Sequence, residues 1–240
     1  MNSQSKKFIQ EIIAVGLVLI LAINCYYFNN PYYKIVFWLD SETFFLLNGS
    51  LLYNKYWAFC WGYLNHFNET YLNLIPVFGL LILLLYKSGC SLKEGIFRFL
   101  YYVLTLQLVI YFHKHIYTFT RISPSYFYPD NFVSIADLLQ NKNLKWNSHH
   151  SFPSGHSLAL FYFFFFVQSC RSKWITRASL FIAIFFSVPR LFGGAHWLSD
   201  VVYAVILAYF FFLIFYKSGL ESKLNKYITR SDKARSLSHK

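Results

Sequence analysis

Six apolar runs organise the chain, at about 8–28, 71–86, 96–113, 155–170, 174–190 and 200–216. A bilayer-spanning helix needs ~20 mostly apolar residues. The shorter runs reach that length only by extending into the polar residues that flank them. Those residues then lie at membrane depth and face a polar cleft. The pattern predicts an all-α, integral membrane six-helix bundle occupying 1–216, without internal repeats. Lys6 and Lys7 followed by Phe8–Phe28 mimic a secretory signal. No small-residue cleavage site follows, so an uncleaved first helix is expected. Two long segments separate the runs. Residues 29–70 interleave polar residues with Phe37-Trp38, Phe44-Phe45 and Tyr56-Trp57, an aromatic amphipathic pattern expected to lie in the headgroup layer. Residues 114–152, with Pro124, Pro129, Asp130 and several Asn, read as a loop holding one short helix near Val133–Leu139.

Charge placement orients this plan. With the N-terminus inside, Lys6, Lys7, Lys87, Lys93, Arg98, Arg171, Lys173, Arg177 and the basic tail 217–240 fall on the cytoplasmic side. Apart from Lys114, Arg121 and Arg190, the outer side receives only Lys34, Lys55, Lys142 and Lys145. The asymmetry follows the positive-inside rule and predicts both termini inside. Composition agrees, since 13% of residues are charged against about 25% in an ordinary soluble domain. The net charge of +12 does not indicate nucleic acid, because the cations sit between apolar runs and not on one face of a soluble fold. Cys25, Cys60, Cys90 and Cys170 are too widely spaced for a metal or redox motif.

The candidate chemistry lies at the outer ends of the runs. His196 and Asp200 are four residues apart, which on a helix places them on one face. A carboxylate bonded to one ring nitrogen fixes the tautomer and raises the basicity of the other. Arg190 precedes them across Gly193-Gly194. Ser151-Phe152-Pro153-Ser154-Gly155-His156 opens the fourth run. Pro and Ser suit a helix start, and first-turn amides favour anions. Gly155 leaves room for a phosphate, and His156 is suited to general acid work. Lys114 and Arg121 are seven apart, two turns on one helix face. Singly, each piece has an ordinary alternative: an interfacial histidine near a helix-start Asp, a capped helix, snorkelling cations. Together they supply three cations matched to one phosphate.

In this order and spacing the three pieces resemble the type 2 phosphatidic acid phosphatase superfamily of membrane lipid phosphatases, relatives of the vanadium haloperoxidases. The family pattern is Lys-x6-Arg-Pro, Pro-Ser-Gly-His and Ser-Arg-x5-His-x3-Asp. Ile122 stands where the pattern has Pro, and Pro189 where it has Ser. The resemblance implies that His196 is the nucleophile, that Asp200 orients it and that His156 protonates the leaving group. It implies a phosphate clamp of Lys114, Arg121, Ser154, Gly155 and Arg190, with no cofactor and no metal. Asp40, Phe44-Phe45, Asn48, Asn65, Val133–Leu139 and Gly194–Asp200 further resemble members that modify lipid A at the bacterial inner membrane. That branch implies a periplasmic site acting on a lipid phosphate, with hydrolysis of the lipid A 1-phosphate expected first. Phosphate transfer from undecaprenyl diphosphate to lipid A, and hydrolysis of undecaprenyl diphosphate or phosphatidylglycerophosphate, are the alternatives. A channel or scaffold explains the spans but not six matched polar residues, because ionisable groups at membrane depth are costly.

Overall fold

The computed structural model describes residues 3–27, 31–69, 79, 82, 92–115, 121–140, 151–168 and 173–221. All regular structure among them is helical. The long helices are α1 (Ser3–Tyr27), α2 (Pro31–Gly49), α3 (Lys55–Glu69) and α4 (Leu92–His115). The loop that follows carries the single turns α5 (Pro124–Phe127) and α6 (Ile135–Leu138). Then come α7 (Gly155–Gln168), α8 (Lys173–Ser187), the single turn α9 (Pro189–Phe192) and α10 (Leu198–Phe212). α10 runs on into a wider π turn, Leu213–Lys217.

α7 is the axis of the bundle. Its sequence, GHSLALFYFFFFVQ, is apolar on every side, and such a helix belongs inside a core. Leu158, Leu160–Phe164, Phe166 and Val167 are all buried. α8 and α10 flank α7, and α4 also packs against it. Tyr102, Val109, Ala183, Ala204, Leu207 and Phe211 complete the core around it. The outward faces are apolar as well: Ile13 and Leu17 on α1, Leu100 and Leu104 on α4, and Phe181 on α8 are exposed. Among the described residues four helical stretches are long and apolar enough to cross a membrane: Pro31–Leu52, Lys93–His115, Lys173–Phe192 and Leu198–Lys217. α7, with 14 residues, is shorter than a full span.

The run expected at 71–86 lies almost wholly outside the described residues. The 29–70 segment carries the aromatic amphipathic pattern read as lying in the headgroup layer. It forms two long helices, and Pro31–Leu52 qualifies as a candidate span. Asp40, Ser41, Phe44 and Asn48 are buried, and their helical spacing gives α2 one face that packs inward. Asn48 fixes that face. Its Nδ2 donates to the carbonyls of Phe192 (2.9 Å) and Val133 (3.1 Å), and its Oδ1 accepts from Val133 N–H (2.8 Å). A second, smaller core of Leu51, Ala58, Ile135 and Phe192 joins α3, α6 and α9.

The helix directions give the bundle two distinct ends. Lys217 pairs with Glu11 at 2.5 Å and Arg98 with Glu221 at 3.4 Å. At the opposite end the C-terminus of α4 meets the N-termini of α7 and α10. All three sequence motifs gather there.

Candidate active site

The second motif is built as a helix start. The Phe152–Pro153 peptide is cis. Ser154 N–H donates to the Asp200 carbonyl (3.2 Å), its own carbonyl accepts the first α7 bond from Leu158, and its hydroxyl donates to Ser157 Oγ (3.0 Å). Motifs two and three are thereby tied through backbone. At Gly155 an added Cβ would stand 3.0 Å from His113 Nε2 and 3.3 Å from His113 Cδ2. The glycine therefore lets the end of α4 close onto the start of α7. This contact brings His113, the residue before Lys114, to the edge of the site.

A folded-back turn presents His196. The Arg190 carbonyl accepts from Ala195 N–H (3.1 Å) and His196 N–H (3.3 Å). Gly194 makes the turn with φ +64°, a conformation that a side chain resists. A Cβ there would also meet Phe132 and Phe44 ring carbons at 3.0 and 3.1 Å. His196 is buried, and its Nδ1 lies 2.7 Å from the Ser151 carbonyl oxygen. A carbonyl only accepts, so Nδ1 carries the proton and Nε2 keeps its lone pair. Ser151 is itself anchored, since both its N–H (2.8 Å) and its hydroxyl (3.0 Å) donate to the Arg121 carbonyl. Burial holds the His196 pKa well below the usual 6.5, reinforced by the nearby Arg190, His156 and His113; the bond to Ser151 opposes them. The ring is neutral at neutral pH.

Asp200 does not make the expected hydrogen bond to His196. Its Oδ2 lies 3.9 Å from Nδ1, beyond hydrogen-bonding reach. The spacing argument assumed one continuous helix, but His196 precedes α10, whose N-cap is Trp197. Asp200 instead accepts from Trp197 N–H through Oδ2 (2.8 Å) and from Arg121 Nη1 through Oδ1 (2.5 Å). The orienting acceptor on His196 is a backbone carbonyl.

Arg121 also departs from the helical reading. Arg121 stands in irregular chain, so Lys114 and Arg121 do not share a helix face. The Arg121 guanidinium lies between two carboxylates: Nη1 reaches Asp200 (2.5 Å) and Ser199 Oγ (2.9 Å), and Nη2 reaches Asp40 (2.6 Å). It also lies 4.9 Å over the Trp197 ring. Asp40 in turn accepts from Ser199 N–H (2.8 Å) and Ser199 hydroxyl (2.5 Å). This cluster clamps α2, the Arg121 segment and the start of α10 together.

Arg190, on α9, is 7% exposed and donates from Nη1 to Asn65 Oδ1 of α3 (2.9 Å). Lys114 is exposed in the last turn of α4. The fold thus brings His196, His156, Arg190, Ser154 and Gly155 to one end of the bundle, with Lys114 one residue beyond the His113–Gly155 contact. Sequence reasoning missed the roles of Asp40 and Asn65 as partners of the two arginines. Their signal was present as polar residues inside an aromatic run. Among the described residues no three His, Cys, Asp or Glu side chains converge as a metal-holding group.

Comparison with known proteins gives the family. The chain is 26% identical over 171 residues to the lipid A 1-diphosphate synthase of Escherichia coli (strain K12), covering 69% of this chain and 70% of that protein. No solved structure matches it. A family model described as the PAP2 superfamily matches residues 95–223, more than half of the chain and all three motifs, and the protein belongs to that superfamily.

Proposed function

We propose that this protein is a membrane lipid phosphatase that hydrolyses a phosphate, in the first place the 1-phosphate of lipid A, through a phosphohistidine on His196. The observation that carries the reading is the 2.7 Å bond from His196 Nδ1–H to the Ser151 carbonyl. It leaves a neutral, oriented Nε2 beside Arg190 and His156. Nε2 attacks phosphorus and forms the N–P bond as the bond to the lipid oxygen breaks. His156, in its protonated form, gives that oxygen its proton. Neutral His156 then takes a proton from water, whose oxygen attacks phosphorus and breaks the N–P bond to free inorganic phosphate and neutral His196. Lys114, Arg121 and Arg190 offset the charge on the equatorial oxygens, with the Ser154 hydroxyl and the Gly155 N–H as further donors. No metal takes part, so chelators should leave turnover intact.

The apolar outer faces and charge placement support six spans in a bacterial inner membrane, with the site periplasmic and both termini cytoplasmic. The similarity to lipid A 1-diphosphate synthase favours a second reading, phosphate transfer from undecaprenyl diphosphate to lipid A. Detergent-purified protein assayed on lipid A, undecaprenyl diphosphate, phosphatidylglycerophosphate and phosphatidate separates the two. Phosphate release from lipid A alone is expected. A labelled diphosphate on lipid A, formed only when the donor is present, would replace hydrolysis with transfer. No reaction with any of the four would overturn both readings.

A further inference from the structure

α2 and α3 precede the segment that the family model matches, residues 95–223, yet α3 supplies the partner of Arg190. Asn65 is 1% exposed, and its amide is fixed in orientation. Arg190 Nη1 only donates, so the oxygen of Asn65 must face it, at 2.9 Å. The amide nitrogen therefore points away from the guanidinium, and Asn65 Nδ2 is buried without a hydrogen-bond partner. A buried donor left in that state costs about 1–3 kcal/mol. One turn earlier on the same face, Trp61 Nε1 is likewise buried without a partner. The Trp61 ring is held by stacking on Phe192 of α9, centroids 4.2 Å apart and nearly parallel. Two orphan donors at i and i+4 therefore stand against the short helix that carries a phosphate-clamp arginine. Both are N–H groups, so what completes them is an oxygen acceptor.

We propose that Asn65, assisted by Trp61, forms an oxygen-acceptor subsite beside the reacting phosphate and acts as a specificity-determining residue. The subsite takes the oxygen-rich group attached next to that phosphate. Two sources share this chemistry: a second phosphoryl group, or the hydroxyls of a sugar ring in a glycolipid. The inference rests on the phosphatase reading and adds to it the α3 contribution to substrate choice.

The test uses the full-length protein in detergent, turning over a soluble chromogenic phosphomonoester. Inorganic phosphate, inorganic pyrophosphate and glucosamine 1-phosphate are compared as competitive inhibitors. In the unmodified protein, pyrophosphate or the sugar phosphate should inhibit about tenfold better than phosphate, the worth of one hydrogen bond to an anionic or polar oxygen. The arm that gains identifies the source. Asn65→Asp keeps an acceptor for Arg190 but replaces the orphan donor with an anionic oxygen, and should bring the ratio to about one. Asn65→Ala should lower the ratio as well. A purely structural Asn65 would leave the ratio unmoved in both variants, and that result overturns the subsite. So does a ratio near one in the unmodified protein, a measurement independent of how any variant folds. Absence of both turnover and phosphate inhibition would instead remove the phosphatase reading itself.

Discussion

Asp40→Asn tests the clamp that joins α2 to the catalytic end. The Asp40 carboxylate is 1% exposed and accepts from Arg121 Nη2 at 2.6 Å, Ser199 N–H at 2.8 Å and Ser199 hydroxyl at 2.5 Å. An asparagine has nearly the same shape, but one of its two positions must present N–H groups to a donor. Either Arg121 or the Ser199 amide then faces a donor and loses its acceptor. Arg121 keeps Asp200 at 2.5 Å, so the cost is below the ~3–5 kcal/mol of breaking an isolated buried pair. Loss of one charge-assisted bond with a donor–donor contact gives about 2–3 kcal/mol. At the usual entropy of unfolding this lowers Tm by about 5–10 °C. The assay is thermal unfolding of the detergent-solubilised protein followed by tryptophan fluorescence. Asp40→Ala and Arg121→Ala, with their double variant, should show a coupling of about 1 kcal/mol or more. An unchanged Tm in Asp40→Asn together with zero coupling would refute the clamp and leave α2 as a helix that merely lies nearby.

The other predictions concern the turn, the cleft and the pH response. Gly194→Ala should lower stability by about 1–3 kcal/mol, because φ is +64° and the new methyl meets the Phe132 and Phe44 rings; a neutral variant in the same unfolding assay would contradict the geometry. Gly155→Ala should push on His113 and reduce kcat/KM more than it reduces Tm. The pKa of His196 lies well below 6.5 in the folded protein, so its protonation limb in the kcat/KM–pH profile should fall well below pH 6.5. In the unfolded chain the same ring protonates near 6.5. Its contribution to stability is therefore whole above that pH and is lost progressively as pH falls towards the folded value. Chemical unfolding midpoints measured across this window report the loss.

The sequence made the bundle and the three motifs legible for physical reasons that can be named. α7 is apolar all round, which marked it as a helix of the bundle without deciding between a lipid-facing and a packed position; its burial came from the structure. Lys114, Pro153–His156 and Arg190–Asp200 announced themselves by charge and spacing at the ends of apolar runs. What stayed hidden was long-range pairing: Asp40 meets Arg121 across 81 positions and Asn65 meets Arg190 across 125. Periodicity within one element carries no information about such partners. The His196–Asp200 spacing brought the two side chains to 3.9 Å but not into a hydrogen bond, because a helix boundary falls between them. The acceptor that replaces Asp200 is the carbonyl of Ser151, which no side-chain pattern can mark. Arg121 escaped its predicted helix as well, since it stands in irregular chain.

The central claim is that Nε2 of a neutral His196 receives the phosphoryl group while Nδ1 stays bonded to Ser151. Radiolabelled lipid phosphate should be mixed with the protein, quenched in alkali within the first turnover, and the phosphohistidine isomer identified on the peptide containing residue 196. The account predicts label on His196 Nε2, and none in His196→Ala, which should express but release no phosphate. Label on Nδ1, label on another residue, or undiminished phosphate release by His196→Ala would contradict it.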